Sequence, residues 1–252
     1  MRHWIFYLIG FIIIIGIKYY YSKASCEELV WILSPTAWWV RFLSGIPFKW
    51  ESHIGYINHE LKFIIAPACS GVQFMTITFA TLLYSFVHRM ATMKKGFYWI
   101  VLSLGLSYLL TIFVNGIRIV ISIHLLSKNI GGGWMTPERI HTIEGTAVYF
   151  VSLLIIRRLV DCVSRKIAGI PGTGLCHIRS GWTGKPAAIS IRRSIPPMLW
   201  YFSITLGIPL LNGAFSNNPQ KFIEYAIIIF AICLAVVFII CAASALRERS
   251  DR

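Results

Sequence analysis

Three side chains with the chemistry for acyl transfer stand at the ends of apolar runs. They are Cys69 within Ala68-Cys69-Ser70-Gly71, Arg118 within Asn115-Gly116-Ile117-Arg118, and His141 within His141-Thr142-Ile143-Glu144-Gly145. A thiol can attack a carbonyl, a guanidinium can stabilise the oxyanion that forms, and an imidazole can move protons near neutrality. Gathered on one surface, the three suggest peptide acyl transfer.

Around Cys69 the chain is small or permissive. Pro67, Ala68, Ser70 and Gly71 flank the thiol, and Gly71 leaves little steric cover against an approaching carbonyl. The position is the expected start of a membrane helix, with Cys69, Gln73 and Thr76 on one face and backbone amides that favour negative charge. Two plainer readings stay open: free cysteine is often a small buried hydrophobe, and Cys26 could pair with Cys69 in an oxidising compartment. His141 follows the loop Gly131-Gly132-Gly133-Trp134 and has Glu144 one turn later. Glu144 either orients the imidazole or places negative charge at a helix N-terminus. His141-x-x-Glu144 is not the His-Glu-x-x-His spacing of a zinc site, and the other histidines offer no convincing ligand cluster.

Arg118 belongs to a pattern. Ser103, Ser107, Thr111, Asn115, Arg118 and Ser122 recur at spacings of three or four, a single stripe on one helix face that must meet protein or water. Ser and Thr in such a stripe also serve plain helix packing. An Arg inside an apolar run costs about 2.5 kcal/mol or more on insertion scales, so it is retained for a partner or a function, with snorkelling or helix pairing as the structural alternative.

The elements that must position these residues follow from composition. With 56% hydrophobic residues, 14% aromatic and a mean hydropathy of +0.67, the chain has more apolar surface than a soluble core of its size could hide. It reads as an all-α integral membrane protein, a polytopic helical bundle. Runs near the 17 to 25 residues needed to cross a bilayer lie at Trp4 to Tyr21, Val72 to Val87, Phe97 to about Ser122, Thr146 to about Ile156 with its flanks, Met198 to Phe215, and Phe222 to Leu246, about six spans in all. The formal charge of +14 does not point to nucleic acid, because the basic residues cluster between apolar runs. His88 to Gly96 holds Arg89, Lys94 and Lys95 without an acid, and Arg157 to Pro197 sets eight basic residues against Asp161. Both loops belong in the cytoplasm, as do the termini. Cys69, Arg118 and His141 then share the outer face.

Within one membrane domain over 1–252, an extracytoplasmic segment covers 22–68, a catalytic core 69–156, a basic cytoplasmic loop 157–197, and a C-terminal helical hairpin with its tail 198–252. The segment before Cys69 holds Leu29 to Leu43, whose tryptophans, Pro35 and closing Arg41 suit a helix lying at the membrane interface. Tyr56 to Ile65 then reads as two short extended pieces around a turn centred on Asn58, a small hairpin leading into Cys69.

Ala68-Cys69-Ser70-Gly71, Asn115-Gly116-Ile117-Arg118, and His141 with Gly145 four residues on, in that order, resemble the exosortase/archaeosortase family of membrane transpeptidases over about Phe63 to Tyr149. In its short length the chain is most similar to the compact exosortase K group. The resemblance implies that Cys69 attacks a peptide carbonyl at the outer face of the bacterial cytoplasmic membrane to form a thioester. Arg118 would stabilise the oxyanion, and His141 would protonate the leaving amine and later activate the acceptor. Asn115, Ser70, Gly71 and Glu144 would support them. It further implies secreted protein substrates that carry a short C-terminal motif, a transmembrane helix and a basic tail, with membrane lipid around them and no metal or organic cofactor. Two rivals stand beside it: a transporter or assembly factor whose pathway is lined by the polar stripe, and a membrane metalloprotease using His141 and Glu144.

Overall fold

The computed structural model describes residues 4–90, 92–127, 136–167 and 186–250. The glycine-rich loop Gly131–Trp134 and residues 168–185 of the basic loop lie outside them. The chain forms two compact units, Met1–Tyr149 and Phe150–Arg252.

The first unit opens with α1 (Trp4–Lys23) and α2 (Val30–Ser44). A small antiparallel sheet follows in the order β1 (Lys49–Glu51), β2 (Gly55–Asn58), β3 (Phe63–Ile65). Then come α3 (Val72–Phe86), α4 (Met93–Ser127) and the start of α5 (Pro137–Ile167). α3 is the central helix of this unit, with twelve of its 15 residues buried. Beside it an apolar cluster draws Ile32, Leu33 and Val40 from α2, Ile65 from β3, Val72 and Met75 from α3, and Ile119 and Ile123 from α4. Cys69 packs against this cluster.

Pro35 lies inside α2 and does not break it. A proline removes the hydrogen bond its N–H would give to the carbonyl four residues earlier, here Trp31. That carbonyl instead accepts from the Tyr108 hydroxyl of α4 at 2.9 Å. In the opposite sense, Trp39 of α2 donates its indole N–H to the Phe113 carbonyl of α4 at 3.2 Å.

The expected hairpin is present, with Ile57 opposite Ile64 and Asn58 opposite Phe63. Asn58 closes the turn by accepting from the Leu61 N–H at 2.8 Å, and it donates to the Pro47 carbonyl at 2.8 Å. The additional strand β1 pairs Trp50 with Tyr56; at three residues it is too short to show a period-two pattern in sequence.

In the second unit, the remainder of α5 is followed by α6 (Pro186–Phe202), a π-turn at Ser203–Gly207, the short α7 (Ile208–Leu211) and α8 (Ala214–Asn217), and α9 (Pro219–Ser250). Phe202 packs on Phe230 with ring centroids 4.2 Å apart, joining the π-turn's entry to α9.

Among the described residues five helices are long and apolar enough to cross a membrane: Trp4–Lys23, Pro67–Arg89, Met93–Leu126, Ser194–Leu211 and Pro219–Ala243. The chain is a multi-pass helical membrane protein. The expected span at Thr146 to Ile156 is not among the five. It lies inside α5, which at 31 residues has the length to cross at about 1.5 Å per residue, but Glu138, Arg139, Glu144, Arg157, Arg158 and Asp161 dilute its apolar stretch.

Candidate active site

Cys69 is held by its backbone. Ala66 is extended, the conformation a following proline favours, and Pro67–Cys69 form a single 3₁₀ turn. The Cys69 N–H bonds to the Ala66 carbonyl at 2.8 Å, and that of Ser70 to the Pro67 carbonyl at 3.0 Å. The turn's own carbonyls are taken by neighbouring helices. Tyr21 of α1 donates to the Pro67 oxygen at 3.3 Å, and Asn115 of α4 donates through Nδ2 to the Cys69 oxygen at 2.6 Å.

Between this turn and α3 stands Gly71, in the left-handed region at φ +75°. The conformation separates Cys69 from the helix, so Cys69, Gln73 and Thr76 do not share a helical face as expected. Nor does Gly71 clear a path for a substrate. A Cβ there would stand 2.9 Å from Thr111 Cγ2 and 3.0 Å from the Asn115 amide, so its bareness serves the close approach of α4. Ser70 is fully buried, and its hydroxyl lies 3.5 Å from the Val72 N–H at the head of α3.

The polar stripe on α4 faces protein. Ser103, Ser107, Thr111, Asn115 and Arg118 are all buried, and Thr111 satisfies its hydroxyl on the Ser107 carbonyl at 2.7 Å. A buried amide or guanidinium costs several kcal/mol unless it is hydrogen-bonded, and toward the C-terminal end of the stripe those bonds lead into the candidate site. Asn115 Oδ1 accepts from the Tyr149 hydroxyl at 2.7 Å. Arg118 donates through Nη1 to the Tyr149 oxygen at 3.1 Å and through Nη2 to His141 Nε2 at 2.7 Å. Its Nε stands 3.9 Å from Glu144 Oε2. The Asn115 amide, bonded to the Cys69 carbonyl, joins this set to the turn that carries the thiol. Cys69, Arg118 and His141 are thus brought to one end of the helices.

His141 is half-exposed. Desolvation and the Arg118 cation push its imidazole down to about 4, so it is neutral at neutral pH. Since Arg118 can only donate, His141 Nε2 accepts and the proton sits on Nδ1. Glu144 is not a helix cap, because α5 begins two turns earlier at Pro137. Its Oε2 accepts from Ser122 at 2.7 Å and lies 3.9 Å from His141 Nδ1. Burial raises its carboxyl, opposed by the Ser122 bond and by Arg118. Glu144 Oε1 and Arg118 Nε are buried without hydrogen-bond partners.

Cys26 and Cys69 are both free thiols, which sets aside a disulfide between them. Among the described residues no three His, Cys, Asp or Glu side chains could hold a metal ion. The third group beside His141 and Glu144 is the Arg118 cation, which would repel one. Tyr149 is absent from the residues that sequence singles out. The available signal was its spacing, four residues after Gly145 and eight after His141 on one face of a helix.

A model of the transmembrane exosortase family matches residues 1–157, a span that includes every residue of this site. No curated protein and no solved structure matches the chain.

Proposed function

This chain belongs to the transmembrane exosortase family, and from that premise we propose that it is a cysteine transpeptidase. It cleaves C-terminal sorting signals of secreted proteins at the outer face of the bacterial cytoplasmic membrane and passes the new C-terminus to an acceptor. The observation that supports this reading most is the hydrogen-bonded chain from the Cys69 carbonyl through Asn115, Tyr149 and Arg118 to His141. It ties the nucleophile's backbone to a fixed cation and a neutral base.

In the first half-reaction Cys69 Sγ bonds to the peptide carbonyl carbon while the thiol proton passes to His141. Arg118 N–H groups meet the oxyanion as it forms. The C–N bond then breaks, and His141 hands its proton to the departing nitrogen, leaving a thioester. In the second half-reaction the acceptor nucleophile gives a proton to His141 and attacks the thioester carbon. The sulfur departs and regains that proton. The basic loops after Val87 and after Ile156 support an outward-facing site by the positive-inside rule, which requires α5 to cross the bilayer as well. A substrate that brings its own transmembrane helix would present its motif at the same depth.

The experiment uses a secreted reporter ending in a motif, transmembrane helix and basic tail taken from a protein encoded beside this one. Membranes containing the wild-type chain should cleave it, and a thioester between reporter and Cys69 should be trapped and released by hydroxylamine. Cleavage that persists in Cys69→Ala would overturn the reading.

A further inference from the structure

We infer that Tyr149 is a positioning residue of this site: its hydroxyl is the joint through which Arg118 and Asn115 are held relative to Cys69. The inference rests on the cysteine transpeptidase reading.

A tyrosine hydroxyl has one proton and two lone pairs, and here the proton and one lone pair each have a partner. Asn115 Nδ2 donates to the Cys69 carbonyl, so the Asn115 amide cannot flip and Oδ1 must be the atom that faces Tyr149. The Tyr149 proton therefore goes to Asn115 at 2.7 Å, and an oxygen lone pair is left for Arg118 Nη1 at 3.1 Å. The ring is fixed independently. It stacks on fully buried Phe74 with centroids 4.6 Å apart and planes 13° from parallel, and Arg118 Cζ lies 5.0 Å from its centroid. Phenylalanine would keep both ring contacts, so packing alone does not require the hydroxyl.

The need for a joint comes from the resting bond between Arg118 and His141. Arg118 Nη2 occupies the Nε2 lone pair of His141, the lone pair a base must use. That bond has to open before His141 can accept a proton. An oxyanion arriving at Arg118 offers the N–H groups a better acceptor, and the guanidinium must then release His141 without following its other attraction, Glu144 at 3.9 Å. Tyr149 is the contact that keeps Arg118 in place through the exchange.

Tyr149→Phe removes the joint alone. Turnover of the secreted reporter is measured in membranes and normalised to Cys69 titrated with a thiol probe, which corrects for folded amount. The expected result is a fall in kcat of about 10-fold or more with KM within about two-fold, as when a catalytic group loses its orientation. Tyr149→Phe combined with Asn115→Ala should be no slower than the slower single variant, because the two residues act as one unit. A kcat within about two-fold of wild type, a loss carried by KM, or losses that multiply in the double variant would each overturn the inference. Activity in Cys69→Ala would sink the parent reading instead, so the two failures are told apart.

Discussion

Gly145 leaves Arg118 its place. A Cβ on that glycine would stand 2.9 Å from Arg118 Nε, 3.1 Å from Nη2 and 3.2 Å from Cζ. Gly145→Ala should therefore displace the guanidinium by a few tenths of an ångström and loosen its bond to His141. Because alanine is the better helix former, the amount of folded protein should hold while reporter cleavage falls on the order of 10-fold to 100-fold. Wild-type turnover in Gly145→Ala would show that Arg118 does not need this position.

Arg118→Lys separates charge from geometry. Lysine keeps the cation but cannot reach Tyr149, His141 and an oxyanion together as the planar fork does. Turnover at equal membrane amounts should drop on the order of 10²-fold or more, the usual effect of losing one oxyanion donor. Near-normal activity would leave only a charge requirement.

Cys69→Ala should abolish cleavage and Cys26→Ala should spare it. Cys26 is buried and, like Cys69, unpaired. Equal losses from both substitutions, read by the same reporter assay, would point to a shared structural role.

The pH dependence has a definite sign. His141 is pushed from 6.5 down to about 4 by desolvation and Arg118, so its neutral, proton-accepting form persists through mild acid. The acidic limb of kcat/KM that belongs to His141 should fall near 4. In Arg118→Gln, which removes one of the two causes, the limb of the residual activity should move up toward 6.5. Stability follows the same sense: between 6.5 and about 4 an unfolded chain takes up a proton that the folded one refuses, so this contribution is lost as the pH falls. A wild-type limb at 6.5 would contradict the pairing of His141 with Arg118.

Gly71→Ala tests the fold at the site's edge. Its φ of +75° and the 2.9 Å approach of Thr111 penalise any side chain, at a cost of about 1–3 kcal/mol. Thermal unfolding in detergent should move to lower temperature.

The membrane class, most of the spans and the α4 stripe were legible in the sequence because each rests on a long repeated pattern. Asn115 and Arg118 stood out because polar groups in apolar runs are expensive to bury. Tyr149 did not, since a tyrosine among apolar residues reads equally well as packing, and only the third dimension brings its hydroxyl between Asn115 and Arg118. Cys69 stands out in sequence by its small neighbours, but sequence does not separate its turn from α3, because one left-handed glycine decides whether a helix starts before or after it. The head of α5 is hidden for the converse reason: Pro137 opens the helix while the apolar stretch that marks it in sequence begins only at Thr146.

The reciprocal bonds between α2 and α4, Tyr108 to the Trp31 carbonyl and Trp39 to the Phe113 carbonyl, bear on how the protein meets its lipid. An aromatic helix at a bilayer surface ordinarily rises and sinks with acyl-chain length. Stitched in both directions to α4, α2 cannot slide along it without breaking two hydrogen bonds to main-chain carbonyls. α4 carries Asn115 and Arg118, so the depth of the site is set by this rigid pair and should be indifferent to membrane thickness. Reporter cleavage in vesicles of graded acyl-chain length should accordingly stay flat, while a Tyr108→Phe, Trp39→Phe double variant should acquire a thickness optimum.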